Sequence, residues 1–299
     1  MSADGELPPD GHLIGGRYRL VERIGSGPTG TVWRARDERE RRQVAVKGPA
    51  LPADPADDEE SRRVAHRLYR EARAAARVRH PSAVTIHDVV SEDGVPWIVM
   101  ELVEGESLRE AVRRGPLPPA EAARVGLAVL GALRAAYAVG IVHRDVKPAN
   151  VLIESGTGRV VLTDFGIGDG HAEESPAAFV APERASGPGA GPASDLWSLG
   201  ALLTAAVEDA ESGPLGPLLA RLHAREPEAR PGAEEVARTL AVLAGDEAAQ
   251  ALVHESAPPP RRAPVPEPRP LTSAPAPRPR RRTPLAALGL LLAKKPEPE

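Results

Sequence analysis

Short apolar runs separated by polar turns fill the N-terminal third of the chain. Tyr18, Leu20 and Glu22 lead to Ile24, Thr31-Val32-Trp33 follows a glycine turn, and Val44-Ala45-Val46-Lys47 follows the polar stretch Asp37 to Arg42. This pattern predicts three strands over Tyr18 to Lys47. From Ser61 to Arg79 the apolar positions Val64, Leu68, Ala72, Ala75 and Val78 recur at helical spacing, so one helix is expected, ending at His80-Pro81. Val84 to Val90 and Val95 to Leu102 read as a hairpin across Glu92-Asp93-Gly94. Ser107 is placed to cap a short helix to Arg114, and Pro118 to Gly140 is a long Ala/Leu-rich core helix. Val151-Leu152-Ile153 and Arg159 to Thr163 read as short strands. A buried helix starts near Ser194-Asp195, with Ser194 expected as its N-cap. Leu215 to Ala224 and Gly232 to Ala244 are the last helices, with Arg230-Pro231 between them.

Composition narrows the choices. The 299 residues are 41% hydrophobic but only 3% aromatic, so the core must be mostly Ala, Val and Leu. A formal charge of -4 argues against nucleic-acid binding by the whole chain. The absence of cysteine excludes disulfides, thiolate metal sites and cysteine nucleophiles. Met1 to Gly11 is acidic and Pro/Gly-rich, without the apolar core of a signal peptide, and residues 1–17 are expected to be flexible. Ala257 to Pro284 is rich in Pro, Arg and Ala and cannot bury a core, so residues 246–284 read as a disordered linker. Its cluster Arg278, Arg280, Arg281 and Arg282 reads as a solvated linker or as a contact for anionic lipid or an acidic partner. Residues 285–299 hold the apolar run Leu285 to Ala293, less than half of the roughly 20 residues a spanning helix needs. A cytoplasmic protein is expected, with at most weak association with a membrane surface.

The chemistry concentrates in His143-Arg144-Asp145-Val146-Lys147-Pro148-Ala149-Asn150, a polar loop between a helix stop at Gly140 and a strand. Asp145 can accept the proton of an attacking hydroxyl. Lys147 can neutralise phosphate charge, and the Asn150 oxygen can ligate a hard cation such as Mg2+. Phosphoryl transfer requires these three parts. Gly25-Ser26-Gly27-Pro28-Thr29-Gly30 lets backbone N–H groups approach phosphates, although the pattern also occurs in dinucleotide folds and plain turns. A dinucleotide fold needs a helix after the glycines, and β-branched Thr31 and Val32 argue for a strand instead. Period two puts Ala45 and Lys47 on one strand face, where the amine can reach phosphates; an ordinary edge lysine is the alternative. Glu71 falls on the inward stripe of its helix and needs a cation. Lys47 is the candidate, with Arg67 or solvent as the alternative. Met100 to Gly105 reads as an extended linker able to offer backbone groups to a flat heterocycle. Asp164, in Asp164-Phe165-Gly166 at a strand end, can reach a metal.

The ordered set of glycine loop, Val-Ala-Val-Lys, helix Glu, His-Arg-Asp, Asp-Phe-Gly and Ala181-Pro182-Glu183 resembles the eukaryotic-type (Hanks-type) protein kinases, and more narrowly the serine/threonine kinases of actinobacteria. The resemblance covers about Tyr18 to Leu243. It implies an α+β bilobal fold over 18–245. A small antiparallel-sheet N-lobe with one helix (18–102) would sit over a mostly helical C-lobe (103–245), with ATP between them. It also implies roles. Ile24, Gly25, Ser26, Gly27, Gly30 and Val32 would cover the nucleotide. Lys47, paired with Glu71, would hold its phosphates. Ala45, Met100, Glu101, Val103 and Leu152 would surround the adenine, with Glu101 and Val103 as hinge contacts. Asp145 would be the base, and Lys147, on the pattern of the serine/threonine branch, would touch the transferring phosphate. Asn150 and Asp164 would ligate Mg2+ or Mn2+. Glu183 resembles the structural partner of Arg230, and Asp195 the buried anchor of the catalytic loop. A homodimer is compatible with the resemblance.

Two departures stand out. The segment from Asp164 to Glu183 is short and holds one hydroxyl, Ser175. Where the family usually has a threonine, the chain has Pro176, or Ser175 if the alignment takes a gap. Glu208 to Pro217 reads as a short polar turn, so a substrate-docking helix of the family is expected to be missing. Three functions are therefore weighed: an active protein kinase, a nucleotide-binding pseudokinase or scaffold, and a small-molecule kinase of the same fold. Lys147 and Glu183 speak against the last.

Overall fold

The computed structural model describes residues 11–165, 167, 176–185, 191–210 and 213–245. Its N-terminal part is a six-stranded antiparallel sheet of β1 (Leu13–Ile14), β2 (Tyr18–Gly27), β3 (Gly30–Asp37), β4 (Gln43–Pro49), β5 (Ile86–Glu92) and β6 (Val95–Met100), ordered β1-β2-β3-β4-β6-β5. The helix α1 (Glu59–Ala75) lies between β4 and β5 in sequence. Asp58 starts it by accepting a hydrogen bond from Ser61 N at 2.7 Å, and Glu59 and Glu60 suit the positive helix start.

Alternation along the strands gives the sheet two different faces. Val44, Val46 and Val99 join Ile14, Tyr18, Leu20, Trp33 and Ala35 in a small core on one face. Ala45, Ile98 and Met100 join Ala72 and Ala75 of α1 in the larger core. Period two therefore sends Lys47 to the same face as Ala45, as expected from the sequence. The expected start of order at Tyr18 is corrected: Leu13 and Ile14 pair with Arg19 and Tyr18, and Ile14 is fully buried. Two residues are too few to show an alternating pattern, so the strand left no signal.

The C-terminal part begins with a three-stranded sheet of β7 (Gly105–Ser107), β8 (Val151–Glu154) and β9 (Val160–Leu162). Ser107 caps α2 (Leu108–Arg114) through a reciprocal capping box with Glu110. The helix α3 (Pro119–Ala138) is apolar on nearly all sides and forms the axis of the lobe. Around it stand α4 (Pro182–Ala185), α5 (Pro192–Ala206), α6 (Gly216–Leu222) and α7 (Ala233–Ala244). Gly126 of α3 lets these helices close up, since a Cβ there would meet Leu240 of α7 at 3.1 Å and Leu203 of α5 at 3.2 Å. The expected N-cap at Ser194 is also corrected. Gly191 occupies the cap and Pro192, with its preset φ, opens the helix. Ser194 sits inside the first turn, where its Oγ accepts from Gly191 N and donates to Glu183 Oε1 at 2.8 Å.

Candidate active site

The glycine turn is the tip of the β2–β3 hairpin, with Gly27 facing Gly30 across the ladder. Gly30 has φ of 129°, and a Cβ there would collide with the Gly48 carbonyl. A strand follows it, so this is a hairpin and not the strand–helix turn of a dinucleotide fold. Ile24, at its edge, is 43% exposed.

The loop from His143 to Asn150 begins after the left-handed Gly140 that ends α3. Buried Asp195, from α5, fixes its start by accepting hydrogen bonds from His143 N and Arg144 N, both at 2.8 Å. Tyr137 OH donates to the same carboxylate at 3.2 Å. Burial pushes the Asp195 carboxyl above its usual range, against the opposing pull of His143 and these donors. Those bonds hold Arg144 in a left-handed conformation, φ 69°, that few non-glycine residues adopt. His143 Nε2 donates to Thr163 O at 2.7 Å, while its Nδ1 accepts from Asp145 N at 3.2 Å. Its ring also meets Phe165 edge-on at 4.9 Å. The histidine thus ties the loop to the segment carrying Asp164, a role the sequence did not show.

These pieces converge on a cavity of about 590 Å³. Its walls are the turn from Gly25 to Gly30, Val32, Lys47, Asp145, Lys147, Asn150 and Asp164. Asn150 Nδ2 donates to Asp145 O and Oδ2, both at 2.8 Å. Lys147 Nζ lies 2.8 Å from the same Oδ2. Lys47 Nζ pairs with Asp164 Oδ1 at 2.9 Å. Burial raises the Asp164 carboxyl, but the Lys47 charge and hydrogen bond, with His143 and Lys147, outweigh it and hold the carboxyl below its usual range. Asp164 is thus kept ionised beside a lysine that a stronger anion could take over.

The remaining expected residues lie outside this cavity lining. Ala45 pairs with Met100 across β4–β6, and both are buried. Glu101 N donates to Thr85 O, and its carboxylate binds Thr85 N at 2.8 Å and Arg159 at 2.7 Å. Leu152 is half-buried on β8 beside Ser107. Glu71 is half-buried on α1, and the ion pair of Lys47 described above runs to Asp164. Ser175 lies outside the described residues, as do the Arg-rich segment and the apolar run.

Below the cleft, Arg230 makes a two-pronged bond to Glu183 at 2.6 and 2.8 Å and donates to Ala193 O and Ala224 O, each at 2.9 Å. The Arg230 hydrogen bond pulls the Glu183 carboxyl down to about 2. Arg184 donates to Arg144 O, and Ser198 Oγ donates to Phe179 O at 2.8 Å. Sequence reasoning missed Arg109, Val112 and Arg113 of α2 and Pro176 and Phe179, which complete the cavity wall. Apart from Pro176, which stands where the family usually has a threonine, they belong to no spaced motif, so nothing in the sequence pointed to them.

Comparison with known proteins agrees with this geometry. A model of the protein kinase domain matches residues 18–214. The chain is 40% identical over 206 residues to the serine/threonine-protein kinase PknL of Mycobacterium tuberculosis, covering 66% of this chain and 50% of that protein. It is 40% identical over 209 residues to the serine/threonine-protein kinase PknA of the same organism, covering 64% of this chain and 47% of that protein. The chain thus spans about half the length of these curated relatives. The crystal structure of the Mycobacterium tuberculosis PknI kinase domain superimposes with a TM-score of 0.66 at 30% identity, over 79% of this chain and 100% of that one. Among the described residues no helix is long and apolar enough to cross a membrane. The antiparallel sheet over a helical lobe, the cleft and the match over residues 18–214 agree: the chain belongs to the protein kinase family, in its eukaryotic-type bacterial serine/threonine branch.

Proposed function

We propose that this chain transfers the γ-phosphate of ATP to serine and threonine hydroxyls of proteins, itself included. The observation that carries this reading is the convergence of Asp145, Lys147, Asn150, Lys47 and Asp164 on one cavity under the glycine turn. Asn150 and Lys147 both engage Asp145 Oδ2, which orients the carboxylate to accept the acceptor hydroxyl's proton. The hydroxyl oxygen then bonds to the γ-phosphorus, and the bond from that phosphorus to the β–γ bridging oxygen breaks, releasing ADP. Lys147 offers positive charge to the group in transit, and Lys47 is placed to leave Asp164 for the nucleotide phosphates. Glu71 is the proposed second partner of Lys47. The Ile24 edge, Ala45, Met100, the Glu101 carbonyl, Val103 and Leu152 would enclose the adenine.

Protein kinases use ATP with a divalent cation. The donors here fit Mg2+ or Mn2+: the Asn150 amide nitrogen is committed to Asp145, so its oxygen is the free donor end, and Asp164 adds an ionised carboxylate. When bound, such a cation supplies charge neutralisation to the phosphates.

The test is phosphate transfer from labelled ATP, with Mg2+ or Mn2+, to the chain itself and to a pool of serine- and threonine-containing peptides. Asp145→Asn should lower transfer by about 10²–10⁴-fold. If wild type incorporates no label while ATP still raises its melting temperature, the chain binds nucleotide without turnover and the proposal is wrong.

A further inference from the structure

The helix α2 carries two arginines into the wall of the catalytic cavity, and neither has an evident structural task. Arg109 and Arg113 are exposed, one turn apart, and line the same space as Asp145 and Lys147. Among the described residues neither guanidinium forms a hydrogen bond or an ion pair. Glu110, next to Arg109 and three residues before Arg113, feels both charges, but its hydrogen bonds go to Ser107. Glu110 Oε2 holds Ser107 N and Oγ in the capping box, both at 2.8 Å, and Glu106 is bound by Arg114.

The helix itself does little to favour Arg109, whereas Arg113 lies in the last turn, where a cation suits the dipole. Like charges at i and i+4 of a helix repel, and Arg109 sits in the first turn, where the helix dipole disfavours a cation. Beyond the arginines the wall turns apolar, through Val112 and Phe179. A cationic pair beside an apolar floor, opening onto the proposed base, suits an extended peptide with negative side chains.

Building on the kinase reading above, we infer that Arg109 and Arg113 select protein substrates with Asp or Glu close to the acceptor hydroxyl. Spacing makes this sharper. Residues four apart on a helix have Cβ atoms roughly 5–6 Å apart. Side chains two apart on an extended chain are separated by about 6.6 Å. The pair therefore matches two acids at alternate positions, an acid-x-acid pattern, better than two adjacent ones.

The experiment compares kcat/KM for four otherwise identical acceptor peptides, carrying acid-x-acid, adjacent acids, neutral or lysine residues next to the serine. Exposed ion pairs are weak, so the acid-x-acid peptide should lead the neutral one by about five- to tenfold and lose that lead in high salt. In Arg109→Ala/Arg113→Ala the ratio should fall to about one. In Arg109→Glu/Arg113→Glu the lysine peptide should become the better substrate. Binding of fluorescent versions of the same peptides gives a second readout that needs no turnover, and it should show the same order. Transfer to all peptides at equal rates overturns the inference and leaves the kinase reading intact. So does a double variant that raises KM for ATP with the peptide ratio unchanged. Absence of transfer to any peptide counts against the kinase reading, and the binding order then decides on the arginines by itself.

Discussion

Asp195 and Asp164 are both carboxylates enclosed by the fold, yet they are held in opposite ways. Backbone N–H groups of His143 and Arg144 and the Tyr137 hydroxyl grip Asp195. A flexible side chain, Lys47, grips Asp164. Backbone dipoles cannot leave, so Asp195 fixes the shape of the catalytic loop. A lysine on a four-carbon stem can swing to a phosphate, so Asp164 is fixed in charge but free in partner. Burial lifts the Asp195 carboxyl, whereas Lys47 keeps the Asp164 carboxyl ionised. The same side chain is a fastener in one place and, on the proposed kinase reading, a reagent in the other, according to what donates to it. Glu183 is also fastened although a side chain grips it, because Arg230 is buried and pinned by backbone carbonyls; Asp145, beside the half-buried Lys147, is held more like Asp164.

The largest structural effect should come from the second fastener. Arg230 is almost fully buried and satisfies Glu183 and three backbone carbonyls, of Ala193, Ala224 and Arg225. Arg230→Ala leaves that carboxylate without its charged partner, with the Ser194 hydroxyl still donating to it, and should cost about 3–5 kcal/mol in urea unfolding. Asp195→Asn should cost less, about 2–3 kcal/mol, because an amide can accept one of the two N–H groups but turns a donor towards the other. A smaller effect should appear with pH. The Glu183 carboxyl lies at about 2, below its ordinary value, so its contribution is complete above the ordinary carboxylate range and is lost as pH falls towards 2. The stability gap between wild type and Glu183→Gln should therefore shrink by about 1–2 kcal/mol between pH 6 and pH 3, given partial solvent screening. A gap independent of pH would mean that Arg230 holds the glutamate by shape alone.

How much of this was legible in the sequence follows from how far each signal reaches along the chain. The strands β2 to β6 and helix α3 were legible because alternation and apolar content run over many residues. Gly30 was legible as the last glycine of the spaced pattern from Gly25, and the structure gives the reason: only glycine fits against the Gly48 carbonyl. The strand β1 was not, since Leu13 and Ile14 are too few to show a period. The start of α5 was misread because Ser194 looks like a cap, while the decisive signal was Pro192 directly after a glycine. In the cleft, Asp145, Asn150 and Asp164 could be named from spacing. That Lys47 rests on Asp164 could not, because side-chain pairing across two lobes depends on rotamers and packing that no local pattern encodes. Arg109 and Arg113 were hidden for a related reason: an exposed arginine on a short helix is ordinary until the fold turns it towards a cavity.

The most direct measurement is single-turnover phosphate transfer and melting temperature, taken side by side for Asp145→Asn and Asp195→Asn. The account predicts that Asp145→Asn melts close to wild type and transfers phosphate at least about 100-fold more slowly. It predicts that Asp195→Asn melts lower by about 4–12 °C, the shift that a loss of about 2–3 kcal/mol gives in a domain of this size. Transfer at the wild-type rate by Asp145→Asn would contradict the account, because the carboxylate at the centre of the cleft would then take no part in the reaction.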